Sequence, residues 1–251
     1  MFLFNRHAEL RFFVIIFSFT AIMEHLLDNP AWNALCSGNN SLSNGNQFAK
    51  YFSPDVSPFT GLPAATVENF QHLHEITPVD GPFGLMTPVK VDFPQPWKML
   101  REMDIVQMVC ENPIERPMAN QAEIIPLTEQ NVPEMLALTK LTNPGPFLRR
   151  TIEMGHYRGI FKEGKLVAMA GQRLNPVPYA EISAVCTHPD HLGKGYAAQL
   201  LLDQIRRIKA ARQIPFLNAL TTNIRAIKLY ESIGFTVRKE IFISIFQKAE
   251  R

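Results

Sequence analysis

Apolar and polar positions follow a regular secondary-structure period only in the second half of the chain. Residues 122–127 predict a strand. Val132, Met135, Leu136 and Leu138 then make the apolar stripe of a helix over 131–141, with Thr128 as its N-cap. Asn143-Pro144-Gly145-Pro146 breaks that helix, and a short helix is expected over 147–154. Residues 157–161 and 166–174 flank the turn Lys162-Glu163-Gly164 as a β-hairpin, and 179–187 predict the next strand. A long helix over 195–212 places Ala197, Leu201, Ile205 and Ile208 on one face. Arg206, Arg207, Lys209 and Arg212 gather at its C-terminal end, where the helix dipole favours cations. After a strand at 214–220, Asn223 caps a helix over 224–233 and Gly234 stops it; 235–246 form a strand pair or one long strand. Strands first, then strand–helix–strand–helix–strand, predict an α/β (α+β) domain with a mixed sheet.

The first half is proline-rich and less periodic. It predicts a helix over 24–36, a turn-rich loop over 37–47, and short strands within 48–52, 70–76 and 84–91. Residues 97–110 predict a helix followed by a strand. His72 and His74 would share one strand face, but no third ligand lies nearby in sequence, so they read as surface or core histidines and no metal site is expected. The segment 111–120, with two prolines and mixed charge, reads as a connector. The expected organisation is an apolar extension over 1–23, a companion domain or half-domain over 24–117, and a second domain over 118–251.

Composition narrows the picture. The chain has 251 residues, 46% hydrophobic and 19% charged, which suits a globular protein with a substantial core. A formal net charge of +2 argues against nucleic acid and anionic membranes as partners. Three scattered cysteines suggest neither a disulfide framework nor a zinc site, and a cytoplasmic location is expected. The apolar run at 12–23 is short for a membrane span, and no stable membrane association is expected. It reads as an extension upstream of a start at Met23, a buried helix, or the core of a signal peptide.

The candidate chemistry centres on residues 185–198, V-C-T-H-P-D-H-L-G-K-G-Y-A-A. A strand end, a polar loop and two glycines lead into a helix, whose first amides and positive dipole end favour an anion such as phosphate. A P-loop is excluded, since no Ser or Thr follows a Gly-Lys pair. Gly193-Lys194-Gly195-Tyr196-Ala197-Ala198 satisfies G-x-G-x-x-A formally. However, His188 to Leu192 is too long for a dinucleotide turn, and the strand ending at Leu220 brings no carboxylate for a ribose.

Leu192-Gly193-Lys194-Gly195-Tyr196-Ala197 resembles the pyrophosphate loop R/Q-x-x-G-x-G/A of the GNAT superfamily of acyl-CoA-dependent N-acyltransferases, with Leu192 in place of the usual Arg or Gln. Downstream, N-I-R-A-I-K-L-Y-E-S-I-G-F, running from Asn223 to Phe235, is similar to that family's N-x-x-A-x-x-x-Y-x-x-x-G-F segment throughout. The A-E-I-S-A-V-C-T-H-P stretch with H-L-G-K-G-Y-A further resembles the glycine N-acyltransferase-like branch.

The resemblance covers residues 120–251 and implies a twisted mixed sheet flanked by helices, with acetyl-CoA as co-substrate. It implies that Val185, Cys186 and Thr187 meet the pantetheine arm and that Leu192, Gly193, Lys194, Gly195, Tyr196 and Ala197 hold the pyrophosphate. Asn223 would contact the pantetheine. Tyr230 would protonate the departing thiolate, and Glu181 would serve as general base toward a small-molecule or peptide amine. The competing readings are a core aromatic for Tyr230, a structural carboxylate for Glu181 and a packed small hydrophobe for Cys186. For the whole chain, the competing reading is a non-catalytic acyl-CoA-binding module.

Overall fold

The computed structural model describes residues 25–115 and 121–249. The run at 12–23, and with it the choice between leader, helix and upstream extension, lies outside them. Among the described residues no helix is long and apolar enough to cross a membrane.

The chain opens with a 3-10 turn, Leu26–Asp28, and a short helix α1, Pro30–Cys36, whose first residue is the proline that a helix start tolerates. A three-stranded sheet follows: β1 (Ser43–Gly45), β2 (Lys50–Phe52) and β3 (Thr60–Gly61). Helix α2 (Val67–Ile76) comes next, then β4 (Phe83–Thr87) and β5 (Trp97–Val109). Past the connector lie β6 (Ile125–Pro126), α3 (Val132–Thr142), β7 (Arg158–Lys162), β8 (Lys165–Gln172) and β9 (Tyr179–Thr187). The chain closes with α4 (Tyr196–Ala210), β10 (Ile214–Leu220), α5 (Ile224–Glu231) and β11 (Thr236–Lys248).

Eight of these strands form one mixed sheet in the order β4-β11-β5-β10-β9-β8-β7-β6. Strands β4 and β5 come from the first half of the chain, and β11 inserts between them. Residues 25–115 therefore extend the sheet of the second half as well as carrying their own small sheet. Every neighbouring pair in the eight-stranded sheet is antiparallel except β9 and β10, which α4 connects as a parallel crossover.

The core forms on both faces of the sheet. On one face Ala31, Ala34 and Leu35 of α1 pack with Ile105, Val109, Phe216 and Ile241. On the other, Leu201, Leu202, Ile205 and Ile208 of α4 pack with Val106, Met108 and Leu217. Alternate residues of β5 and β10 thus serve opposite layers, as the two-residue strand period requires. Met135 and Leu138 of α3 cover Met169 and Cys186.

Three expectations are corrected. Residues 70–76 form part of helix α2. Thr66 Oγ1 accepts the Asn69 N–H at 3.2 Å, and Phe70 and Leu73 bury one face at helical spacing. His72 and His74 consequently share no strand face: His72 stacks on Phe48 and His74 lies edge-on to Trp97. Residues 97–109 form one strand, because β11 supplies backbone partners from Trp97 to Val109, and such pairing overrides local helix preference. The helix expected over 147–154 is reduced to the 3-10 turn Thr151–Met154.

Phe246 ties the first half to the second. Its ring is fully buried and meets Phe70, Phe83, Phe93 and Trp97 at centroid distances of 6.2, 5.8, 4.7 and 5.1 Å. Phe246→Ala should cost about 3–5 kcal/mol of unfolding free energy. A denaturant midpoint unchanged by the substitution would show that this junction does not stabilise the fold.

Candidate active site

The parallel strands β9 and β10 pair only from Tyr179 to Glu181 against Ile214 to Phe216, and beyond that they part. A bulge helps to redirect β9. Between its pairs with Cys186 and Ser183, β8 advances from Met169 to Gly171, so β9 carries one extra residue there. Ala184, inside the bulge, has φ +53°, a left-handed conformation that costs an L-residue about 1–2 kcal/mol. Backbone groups on the facing edges of the two diverging strands are thereby left without a strand partner.

A cleft of about 740 Å³ occupies the gap. Its walls come from the end of β9, the loop and first turn of α4, one face of α5 and the C-terminal end of α3. Of the residues expected to hold a nucleotide-bearing donor, Val185, Cys186, Thr187, Leu192, Gly193, Gly195, Tyr196, Ala197, Asn223 and Tyr230 all line it. Lys194 does not; its Nζ lies 3.2 Å from His191 Nδ1. Among the described residues no carboxylate lines the cleft, whereas Arg225 and His191 do.

The glycines are needed for conformation rather than for space. Gly193 and Gly195 have φ of +76° and +77°, and a Cβ on Gly193 would meet nothing within 4 Å. Gly195 is the N-cap of α4 and offers no side-chain cap, so the helix-opening amides of Tyr196, Ala197 and Ala198 face the cleft mouth without an intrahelical acceptor. Leu192 is half exposed, and backbone bonds hold the loop where a polar side chain was expected. His188 N–H donates to Val167 O at 2.7 Å, His191 N–H to His188 O at 2.9 Å, and Leu192 N–H to Pro189 O at 3.2 Å.

Asn223 Oδ1 accepts the Ala226 N–H at 3.2 Å and so caps α5, leaving its amide donors without a protein partner among the described residues. Ala226 and Tyr230, one helical turn apart, both face the cleft. Burial alone pushes the Tyr230 phenol up to about 12. Thr187 Oγ1 is buried with no hydrogen-bond partner among the described residues. Cys186 is packed beside α3, and its thiol is pushed up to about 11, mainly by burial, which makes it a poor nucleophile.

The expectation for Glu181 is corrected by its surroundings. It is 1% exposed and lies outside the cleft lining. Arg173 Nε and Nη2 donate to its two oxygens at 2.9 and 2.6 Å, the Leu174 N–H donates at 3.2 Å, and Asn218 Nδ2 donates at 2.8 Å. A carboxylate has about four lone-pair sites, and four donors already use them. Glu181 is therefore a structural anchor at the fork, with no lone pair left to take a proton from an amine.

Leu141, Thr142, Pro189, Arg225 and Leu229 also line the cleft, and sequence patterns did not single them out. Only the tertiary fold brings the end of α3 to the loop of α4. Arg225 and Leu229 sit inside the recognised α5 segment at positions its pattern leaves free.

A family model described as FR47-like protein matches residues 157–243, the span that contains the bulge, the glycine loop and Tyr230. The structure of a protein from Novosphingobium aromaticivorans assigned to the GNAT acetyltransferases is 32% identical. The match covers 90% of this chain and 100% of that one, with a TM-score of 0.82. The chain belongs to the GNAT family of acetyltransferases. A GCN5-related N-acetyltransferase from Kribbella flavida is 11% identical over 84% of this chain and 92% of its own, with a TM-score of 0.58. A Drosophila protein is 15% identical over 78% and 73%, with a TM-score of 0.56. Both share the fold. No curated protein matches the chain. Across the GNAT family an acyl-CoA is the donor and an amine-bearing molecule the acceptor, which fits an anion-seeking helix start opening into a cleft free of carboxylates.

The fork gives a direct test. Glu181→Ala should strand the buried Arg173 guanidinium and destabilise the protein by about 3–5 kcal/mol. The double change Glu181→Leu with Arg173→Met should recover the part of that loss due to the stranded guanidinium, while the Leu174 N–H and Asn218 Nδ2 stay without their acceptor. A double variant as unstable as Glu181→Ala, by chemical denaturation, would argue against the pairing account.

Proposed function

We propose that this GNAT protein moves an acetyl group from acetyl-CoA to a primary amine by direct attack, with Tyr230 as general acid. The observation that carries this reading is a single cleft with the helix-start amides after Gly195 on one wall and the Tyr230 phenol on another. Acetyl-CoA supplies an acyl thioester whose thiolate is already a good leaving group, so positioning and proton handling are the main demands.

The helix-start amides of Tyr196 and Ala197 suit the pyrophosphate, and Arg225 adds a positive charge to the cleft from the α5 wall. The unpaired edge of β9 from Val185 to Thr187 suits the amide-bearing pantetheine arm, which would lie against it as an added strand does. The buried Thr187 hydroxyl and the free amide donors of Asn223 offer further bonds along that arm. Tyr230, whose phenol is protonated at neutral pH, donates to sulfur as the carbon–sulfur bond breaks. Since Glu181 is saturated, the proton of the incoming ammonium leaves to water at the open mouth of the cleft.

Tyr230→Phe should lower the rate of thiol release roughly 10²-fold while acetyl-CoA binding stays near normal. Unchanged turnover would remove Tyr230 from the mechanism. Its raised pKa carries a second expectation. The phenol keeps its proton at every pH below about 12, so its ionisation leaves no limb in the pH–rate profile across the ordinary tyrosine range.

Thr187→Val removes a buried hydroxyl that no protein group satisfies. It should weaken acetyl-CoA binding about tenfold by calorimetry and leave thermal stability equal or slightly higher. Loss of stability with unchanged affinity would show instead that the hydroxyl serves the fold.

A further inference from the structure

A second cavity, of about 370 Å³, lies apart from the acyl-CoA cleft and shares none of its lining residues. Phe52, Val79, Pro82, Phe83, Leu148 and Ile245 make it apolar. Phe52 and Ile245 belong to the α1 layer of the core, so the cavity opens on the face of the sheet opposite α4 and α5. Among the described residues Arg101 is the one charged residue in its lining. That side chain is exposed, and among the described residues no hydrogen bond or ion pair engages its guanidinium.

The cavity and the cleft lie at the same end of the sheet. Strand β5 runs antiparallel to β10 with Ile105 opposite Leu220, so Arg101 lies beyond the C-terminal end of β10. Strands β9 and β10 part toward that same end. One segment, the end of α3 with the loop after it, borders both spaces: Leu141 and Thr142 wall the cleft, while Pro146 and Leu148 wall the cavity. A donor seated among α4, α5 and the diverging strands leaves this opposite face as the side from which a second substrate can reach the gap.

We propose that this cavity seats the acceptor, and that the acceptor is a primary amine bearing a large apolar body and a carboxylate, as in a free amino acid with an apolar side chain. The inference rests on the acyltransfer reading of the cleft. The apolar walls favour a hydrocarbon or aromatic group. The unpaired guanidinium at the mouth suits a carboxylate, which it can engage through two parallel hydrogen bonds. The same charge disfavours polyamines and keeps the reacting nitrogen turned away from Arg101. In the reaction, the lone pair of the neutral amine forms the bond to the acyl carbon and the carbon–sulfur bond breaks. The thiolate takes a proton from Tyr230, and the proton lost by nitrogen returns through water to the phenol. The products are an N-acyl amino acid and free thiol.

The test uses L-phenylalanine as probe and phenethylamine as its decarboxylated counterpart, titrated calorimetrically into the full chain. L-Phenylalanine should bind at least about tenfold more tightly than phenethylamine. Arg101→Leu should abolish that preference while acetyl-CoA binding stays unchanged, and Leu148→Trp, which fills the cavity, should weaken both probes. Equal binding of the two probes, a preference that survives Arg101→Leu, or no binding of either would overturn the proposal. Calorimetry needs no turnover, so the two readings fail separately. Binding that depends on Arg101 without thiol release would count against acyl transfer, and thiol release from other amines with no binding of L-phenylalanine would count against this acceptor class.

Discussion

The buried ion pair of Glu181 with Arg173 stands where two parallel strands cease to pair. Backbone bonding between β9 and β10 stops at Glu181 and Phe216. The Glu181 carboxylate then reaches across to Asn218 on β10, so a side-chain bridge takes over where the ladder ends. Arg173, stacked on Phe59 and bonded twice to the same carboxylate, holds that bridge from the residue just after β8. A charge buried this deeply is tolerated only with full hydrogen bonding, and here every lone pair is used. Because the fork is anchored at its base, the strands can diverge above it and leave edge groups for a ligand.

The cleft draws each of its properties from a different layer. The bulge at Ala184 turns the end of β9 and stores local strain beside the site. The two left-handed glycines direct helix-start amides at the mouth, and α5 brings Tyr230 against the same space. Burial that raises the phenol would be unfavourable for a group required to ionise first. A phenol is protonated at neutral pH with or without that shift, so burial makes it a weaker acid and does not by itself favour proton donation.

The first half of the chain works by extending this frame. Strands β4 and β5 clamp β11 from both sides, and α1 covers the face opposite α4 and α5. That arrangement leaves an apolar hollow near the end of the sheet where the strands part, with the exposed Arg101 in its lining. A small sheet and a proline-rich segment with no chemistry of their own thereby come to border the space from which an acceptor would approach.

Much of the second half was legible in the chain itself. The strands at 179–187 and 214–220, the helix after Gly195 and the cap at Asn223 follow from period-2 and period-3.6 patterns and from cap chemistry, which act over a few neighbouring residues. The loop and the Asn223 to Phe235 segment likewise carried the resemblance to the GNAT family, because those spacings are local. Local pattern failed where long-range pairing or burial decided the outcome. Residues 97–109 are one strand because β11, far away in sequence, pairs with them along their length. Residues 70–76 are helical because Thr66 caps them and Phe70 and Leu73 bury one face in the edge cluster. Glu181 lost its expected role as a base for the same reason: a carboxylate on a strand reads alike in sequence whether it faces a substrate or an arginine. Only the packed structure brings Arg173, Leu174 and Asn218 to its oxygens.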